Sequence, residues 1–332
     1  MKISIIGAGA FGTAMAITAA RSGNDVLLWT HEREVADAVN SAHANEMYLP
    51  GFTLDAGIRG TVDLAEAAAF SDVVFMLVPS QFYRGVLAGL ASHLDRPVRI
   101  ISGTKGIENE SLQRMSEIAT AVLGDKLRAF AAMSGPTFAH EVAKGEPTAA
   151  VIASDDGEFA REAQAALSCP TFRLYHGKDV VGLELAGALK NVIAIAAGVL
   201  QGLGLGYNTN AALVTRGLAE ITRLGIALGG RLETFAGLAG MGDLVLTCTG
   251  SLSRNRSVGV QLGQGQQLSE ILDEARFVAE GVKTSKSVDE LARKHQIEMP
   301  ISQEMVRVLY GGESPREAIQ RLMTRALKAE HA

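Results

Sequence analysis

One feature narrows the possible folds of this chain more than any other. The apolar run Lys2-Ile3-Ser4-Ile5-Ile6 passes straight into Gly7-Ala8-Gly9-Ala10-Phe11-Gly12 and then into the small residues Thr13-Ala14-Met15-Ala16. Strand, Gly-x-Gly-x-x-Gly and helix in that order form the turn that receives the diphosphate of a dinucleotide. Gly7 permits the tight turn, Gly9 lets the backbone approach the phosphates, and Gly12 lets helix and strand pack closely. The N–H groups at the start of the helix face the anion. A glycine pattern alone is weak, but the second apolar run Asp25-Val26-Leu27-Leu28-Trp29 supplies the βαβ context that the motif requires.

The alternation continues. A polar helix is expected over 32–44, a turn at Pro50-Gly51, a helix over 63–69, and strands over 72–78, 98–101, 129–133 and 149–153. Strands alternating with helices predict a Rossmann-like, doubly wound, mostly parallel sheet whose ligand lies beyond the carboxyl ends of the strands. From Asp179 the pattern becomes helical, with helices expected over 180–201, 210–228, 234–238, 268–274, 283–294, 301–309 and 315–327. The expected organisation is a nucleotide-binding domain over 1–178 and an all-α domain over 179–332, with the substrate in the cleft between them.

Composition excludes several classes. A chain of 332 residues, 47% hydrophobic and 20% charged, is an ordinary globular sequence, and a formal charge of -5 provides no general field for nucleic acid. Any anion site must be local. Cys169 and Cys248 have neither metal spacing nor the density of a disulfide scaffold, and no His/Cys ligand set is clustered, so no metal is expected. The two cysteines read as small buried hydrophobes in a reducing cytoplasm. Met1 and Lys2 lead directly into the first strand, so no export signal is expected. The apolar run over 192–200 is interrupted by Gly198 and reads as a buried core helix too short for a bilayer.

Two further constellations carry chemistry. Around Lys190, helical spacing aligns Leu183, Ala186, Gly187, Ala194 and Ala197 in one stripe, leaving the lysine poorly solvated beside small side chains with room for a ligand. Burial favours the neutral amine and a nearby carboxylate restores the charge, so its proton affinity is tunable. A lysine reaching from a packed helix to solvent is the competing reading of that segment. The second constellation is Gly240-Met241-Gly242-Asp243, a carboxylate in a glycine-rich turn, followed by Ser251-Leu252-Ser253-Arg254-Asn255-Arg256. Guanidinium, hydroxyl and amide donors at that density suit a small phosphorylated substrate, and a polar connection with surface arginines is the alternative.

Together with Ser102-Gly103-Thr104-Lys105-Gly106-Ile107, Ser134-Gly135-Pro136-Thr137-Phe138-Ala139 and Glu184-Leu185-Ala186-Gly187-Ala188-Leu189-Lys190-Asn191-Val192, these segments resemble, in order and over essentially the whole chain, the bacterial-type sn-glycerol-3-phosphate dehydrogenase (NAD(P)+) family. The resemblance implies reversible NAD(P)H-dependent reduction of dihydroxyacetone phosphate to sn-glycerol 3-phosphate, the backbone for phospholipid synthesis. It also implies a Rossmann domain followed by a helical domain like the C-terminal one of 6-phosphogluconate dehydrogenase, cytoplasmic location, a possible homodimer, and neither nucleic-acid binding nor membrane insertion.

By position, the resemblance makes Lys190 the proton-transfer lysine and Asp243 its orienting carboxylate. Lys105, Gly135, Thr137, Asn191, Thr247, Ser253, Arg254 and Asn255 complete the substrate pocket. Cofactor positions fall on Gly7, Gly9, Ala10, Phe11, Gly12, His31, Arg33, Lys105, Ala139, Arg254, Val278 and Glu280. An acid at the end of the second strand usually binds the ribose hydroxyls of NAD, and here Thr30-His31-Glu32-Arg33 presents neutral and basic groups first. NADP is therefore favoured, or tolerance of both cofactors, although Glu32 can still contact a ribose. A related two-domain reductase of another small substrate would not need Arg254 and Asn255 as a phosphate grip. A non-catalytic NAD(P)H sensor would have no use for a tuned lysine.

Overall fold

The computed structural model describes residues 1–274, 279–327 and 329–330. Eight strands build one sheet: β1 (Lys2–Ile6), β2 (Asp25–Trp29), β3 (Ile58–Thr61), β4 (Val73–Met76), β5 (Val98–Ser102), β6 (Leu127–Ser134), β7 (Thr148–Ala153) and β8 (Phe172–Gly177). Their order is β3-β2-β1-β4-β5-β6-β7-β8. Every neighbouring pair is parallel except β6 and β7. The chain leaves β1 in one direction for β2 and β3, then crosses to β4 on the other side of β1. That reversal opens a crevice at the carboxyl ends of β1 and β4, where doubly wound sheets bind ligands.

Seven helices connect these strands: α1 (Ala10–Arg21), α2 (Arg33–Ala42), α3 (Leu64–Phe70), α4 (Ser80–Ala91), α5 (Met115–Leu123), α6 (Ala139–Lys144) and α7 (Gly157–Leu167). They cover both faces of the sheet, so the central strands are apolar on both sides. Ile3, Ile5, Val26, Leu28 and Phe75 enter one core, while Ile6, Leu27, Trp29, Val74 and Met76 enter the opposite one. This period-2 division of a continuous apolar run is the pattern of a buried parallel strand. β3 and β8 lie at the two edges of the sheet and escape the sequence reading. Arg59 and Gly60 dilute β3, and β8 alternates buried Phe172 and Leu174 with exposed Arg173 and Tyr175.

The second half is helical: α8 (Val180–Gly202), α9 (Tyr207–Ala227), α10 (Leu232–Ala236), α11 (Asp243–Thr249), α12 (Arg254–Gly263), α13 (Leu268–Glu274), α14 (Glu280–Lys294), α15 (Pro300–Tyr310) and α16 (Pro315–Met323). α8 is its axis. Among the described residues it is the one helix long and apolar enough to cross a membrane, and 94% of its apolar window is buried inside the protein. The expectation of a segment too short to span is thus corrected in length, because Gly198 does not interrupt the helix. Each fully buried Leu or Ile contributes about 1.5–3 kcal/mol, and Leu183, Leu185, Leu189, Ile193 and Ile195 are all at most 1% exposed.

Gly198 is there for close approach. A Cβ on it would lie 2.0 Å from the Arg256 carbonyl oxygen, and one on Gly259 would lie 2.0 Å from that of Ile195. α8 and α12 therefore touch backbone to backbone. At the other end, Glu184 of α8 fastens the helix to the sheet half. Its carboxylate accepts from the Ser116 N–H (2.8 Å), the Ser116 hydroxyl (2.6 Å) and Arg114 Nη1 (2.8 Å), at the start of α5.

Candidate active site

The glycine turn has the geometry its sequence requires. Gly7 has φ +114°, a conformation that L side chains rarely adopt. A Cβ on Gly12 would stand 1.7 Å from the Gly7 carbonyl oxygen, so this glycine lets α1 close onto the turn itself more than onto the strand. Around Gly9 a Cβ would meet nothing within 4 Å. This glycine borders open space at the head of α1, and no side chain caps the helix there. The first N–H groups of a helix have no partner within it, so those of Ala10, Phe11 and Gly12 form the cradle that a dinucleotide diphosphate fits. Phe11 stands at its edge, with its ring 3.4 Å from the Cβ position of Gly103 beyond β5.

Past the end of β2, His31 and Arg33 are exposed. Between them Glu32 is tied back, accepting from the Thr30 hydroxyl at 2.7 Å and the Tyr48 hydroxyl at 2.9 Å. Burial raises its pKa, but these hydrogen bonds outweigh burial and hold the carboxyl below its usual range. Both carboxylate oxygens are thus engaged by protein donors, while His31 and Arg33 face solvent.

The charged cluster gathers side chains from three distant segments. Asp243, 1% exposed at the start of α11, accepts from Lys190 Nζ on Oδ1 at 2.8 Å and from Lys105 Nζ on Oδ2 at 2.7 Å. Lys190 also donates to the Thr247 hydroxyl at 2.7 Å, and that hydroxyl donates to the Asp243 carbonyl at 2.6 Å. Lys105, in the loop after β5, reaches the Gly135 carbonyl at 3.1 Å, which the Thr137 hydroxyl also meets at 3.1 Å.

Lys190 does not reach for solvent: it is 6% exposed. Burial pulls its pKa down to about 8, partly offset by Asp243 and reinforced by the like charge of Lys105. Asp243 is pushed up by burial, but the two ammonium groups more than offset this and hold it below the usual carboxylate range. Part of the room expected beside Lys190 is filled by protein. A Cβ on Gly187 would lie 2.9 Å from Ser134 Oγ and 3.5 Å from Lys105 Cγ, so Gly187 lets the loops after β5 and β6 approach α8.

One turn further on, Asn191 accepts on Oδ1 from Asn255 Nδ2 at 3.0 Å, and Asn255 Oδ1 accepts from the Gly281 N–H at 2.9 Å. Asn255 lies in the first turn of α12, and buried Ser253 is that helix's N-cap, accepting from the Arg256 N–H at 3.3 Å. The stretch read as a glycine-rich turn followed by a dense donor patch is three helical pieces: a π-helical turn over Leu238–Gly242, then α11 and α12. Arg254 opens α12 as an exposed residue, close enough to Glu280 to feel its charge.

Glu280, the first residue of α14, accepts from the Ser80 N–H (2.8 Å) and hydroxyl (2.5 Å) at the start of α4. Ala139 opens α6 beyond β6. Val278 lies outside the described residues. Sequence reasoning missed Ser134, whose hydroxyl donates to Asp243 Oδ2 at 3.4 Å, and Ser80. Ser134 ends β6 and Ser80 opens the helix after β4, so a place at the carboxyl end of a strand is the signal that marks them. Among the described residues no group of three His, Cys, Asp or Glu side chains is arranged to hold a metal.

Two family models match in succession: the NAD-dependent glycerol-3-phosphate dehydrogenase N-terminus over residues 2–160 and its C-terminus over 179–320. The chain belongs to that family. It is 51% identical to a glycerol-3-phosphate dehydrogenase [NAD(P)+] of Geobacter sulfurreducens over 330 residues, covering 99% of this chain and 98% of the relative. Among solved structures, glycerol-3-phosphate dehydrogenase from Coxiella burnetii superposes with a TM-score of 0.94 at 38% identity, covering 98% of this chain and 99% of the other. A ketopantoate reductase from Ralstonia eutropha shares the fold alone, with a TM-score of 0.61 at 16% identity over 96% of this chain and all of the other. The family fixes the class of the chain, an NAD(P)-dependent oxidoreductase.

Proposed function

We propose that this chain reduces dihydroxyacetone phosphate to sn-glycerol 3-phosphate, reversibly, with Lys190 as the proton donor. The observation that carries this reading is a buried ammonium with a pKa near 8, held at 2.8 Å by a carboxylate that a second lysine also holds. A bound nicotinamide supplies the hydride for the carbonyl carbon. Lys190, charged by its proximity to Asp243, gives a proton to the carbonyl oxygen as negative charge develops there. In the opposite direction the neutral amine takes the hydroxyl proton.

Asp243 orients Lys190, and Thr247 fixes the amine from its other side. Lys105 adds positive charge beside the substrate. Arg254, Asn255 and the N-terminus of α12 suit the substrate phosphate, since a helix N-terminus and a guanidinium both favour an anion. Gly135, Thr137 and Asn191 complete the pocket, with Ser253 capping the helix that carries the grip. Gly7, Gly9, Ala10, Phe11 and Gly12 receive the diphosphate, and Lys105, Ala139, Arg254 and Glu280 are assigned to the rest of the cofactor. NADPH is the favoured reductant: exposed His31 and Arg33 are available to a 2′-phosphate, while Glu32 is occupied by Thr30 and Tyr48.

The nucleotide-binding unit is assigned to 1–178 and the helical unit to 179–332. Glycerol phosphate supply for phospholipid synthesis in the cytoplasm is the corresponding cellular role, and burial of α8 agrees with it. A homodimer is proposed on the exposed Leu205 and Tyr207 where α8 meets α9, and sedimentation tests it. The deciding assay follows nicotinamide absorbance with dihydroxyacetone phosphate, using NADH and NADPH side by side. Steady oxidation with this substrate is expected. Turnover confined to unphosphorylated 2-keto acids would overturn the reading.

A further inference from the structure

We propose that Asn45 is a positioning residue for the cofactor diphosphate, acting through the peptide between Ala8 and Gly9. The proposal rests on the reading that the glycine turn receives that diphosphate. Asn45 lies between α2 and β3, far from the motif in sequence, and is 1% exposed. Its Nδ2 donates to the Ala8 carbonyl at 2.8 Å and to the Thr13 hydroxyl at 2.8 Å. The Thr13 hydroxyl donates to the same carbonyl at 3.1 Å. One carbonyl in the middle of the glycine motif thus has two buried side-chain donors that also bond to each other.

The consequence follows from peptide geometry. A trans peptide is planar, with its C=O and N–H pointing in opposite directions, and no cis peptide occurs among the described residues. Holding the Ala8 oxygen toward buried Asn45 and Thr13 therefore aims the Gly9 N–H the other way, out of the core. Gly9 eases rotation of this peptide on one side, since it lacks the Cβ that would restrict its φ. The motif makes the turn possible, and the amide from outside it selects one orientation.

Asn45 is itself braced. Its Oδ1 accepts from the Tyr48 N–H at 3.2 Å, and its carbonyl accepts from the Leu49 N–H at 2.9 Å. The loop is closed by a bridge between Ala44 and Thr53 and anchored by buried Leu49 and Leu54. A preset donor direction lowers the ordering cost of binding, so removing the brace should weaken whatever ligand uses that donor.

The test measures binding by calorimetry, using NADPH and adenosine 2′-monophosphate, which carries the same adenosine end without the diphosphate. Asn45→Ala should weaken NADPH about tenfold and adenosine 2′-monophosphate less than twofold. Thr13→Val, which removes one of the two donors to the Ala8 carbonyl, should weaken NADPH about threefold and remains informative if Asn45→Ala does not fold. In steady state the KM for NADPH should rise while kcat falls less than threefold. Equal weakening of both ligands, or a lowered melting temperature with the NADPH affinity unchanged, would overturn the proposal.

Gly9→Val separates it from the reading beneath it, because the added side chain points into open space and leaves the fold intact. If Gly9→Val weakens NADPH and Asn45→Ala does not, Asn45 alone is wrongly assigned. If Gly9→Val leaves NADPH untouched, the turn does not receive the diphosphate at all.

Discussion

The two parts of the candidate site are built by opposite means. The glycine turn is backbone: its donors are N–H groups and its key residues matter for lacking side chains. The lysine cluster is side chains: Lys105, Lys190 and Asp243 come from a loop after β5, from α8 and from α11, and meet within 2.8 Å. A backbone site is written in consecutive residues and tolerates many sequences elsewhere. A side-chain site depends on how whole helices pack, and it contains groups that titrate in the working range, which a row of amides does not.

The difference predicts separable failures. The largest is expected for Lys190→Met, which should lower turnover by about 10²–10⁴-fold, the usual contribution of a general acid–base group, while NADPH affinity stays within a few-fold. Rapid-mixing and binding measurements on the same variant decide it. A variant with near-normal turnover would take proton transfer away from the cluster.

Arg254→Ala comes next. Leaving a covered phosphate without its cation costs on the order of 2–5 kcal/mol, so kcat/KM for dihydroxyacetone phosphate should fall roughly 30- to 5,000-fold. The already slow rate with unphosphorylated dihydroxyacetone should scarcely change. Proportional losses on both substrates would show that Arg254 serves the cofactor or the fold.

pH sharpens the comparison further. With Lys190 near 8, reduction needs the protonated amine and should decline toward tenfold per unit as pH rises past about 8. Oxidation of glycerol phosphate needs the neutral amine and should climb over the same range to a plateau. Cofactor binding at the backbone turn should follow neither curve. Identical pH profiles for the two directions would rule out Lys190 as the titrating group.

The smallest effect is expected at the cofactor's far end. Arg33→Ala should reduce kcat/KM for NADPH several-fold more than for NADH, since an exposed guanidinium contributes only modestly in high dielectric. Equal losses would mean that Arg33 does not read the 2′-phosphate.

How much of this was legible in the sequence tracks the same contrast. Gly7, Gly9 and Gly12 lie in one contiguous run, and the structure gives them the turn the motif calls for. Lys190 could be singled out by its small-residue stripe, but that stripe left burial and solvent exposure equally open. Only packing against α11 decides it. The stretch over 243–256 was legible as a dense patch of donors but not as two short helices, which its glycines and hydroxyl groups mask, although Ser253 ahead of Arg254 and Asn255 is an N-cap signal. β3 and β8 were missed because edge strands bury only half their side chains. Asn45 carried no local signal, since its partner carbonyl belongs to another segment.

The contact between α8 and α12 has a consequence for substrate size. Gly198 and Gly259 bring the two backbones together with no side chain as a cushion. α8 carries the proton donor and α12 opens with the phosphate grip. Under those assignments the spacing between the molecule's two chemical handles is set by main chain against main chain, as rigid a gauge as a protein can make. Such a calliper measures the number of carbons between phosphate and carbonyl. A bulkier residue at Gly259 would reset its jaws, so the resulting enzyme should be judged by which homologues it accepts as well as by how much activity it loses.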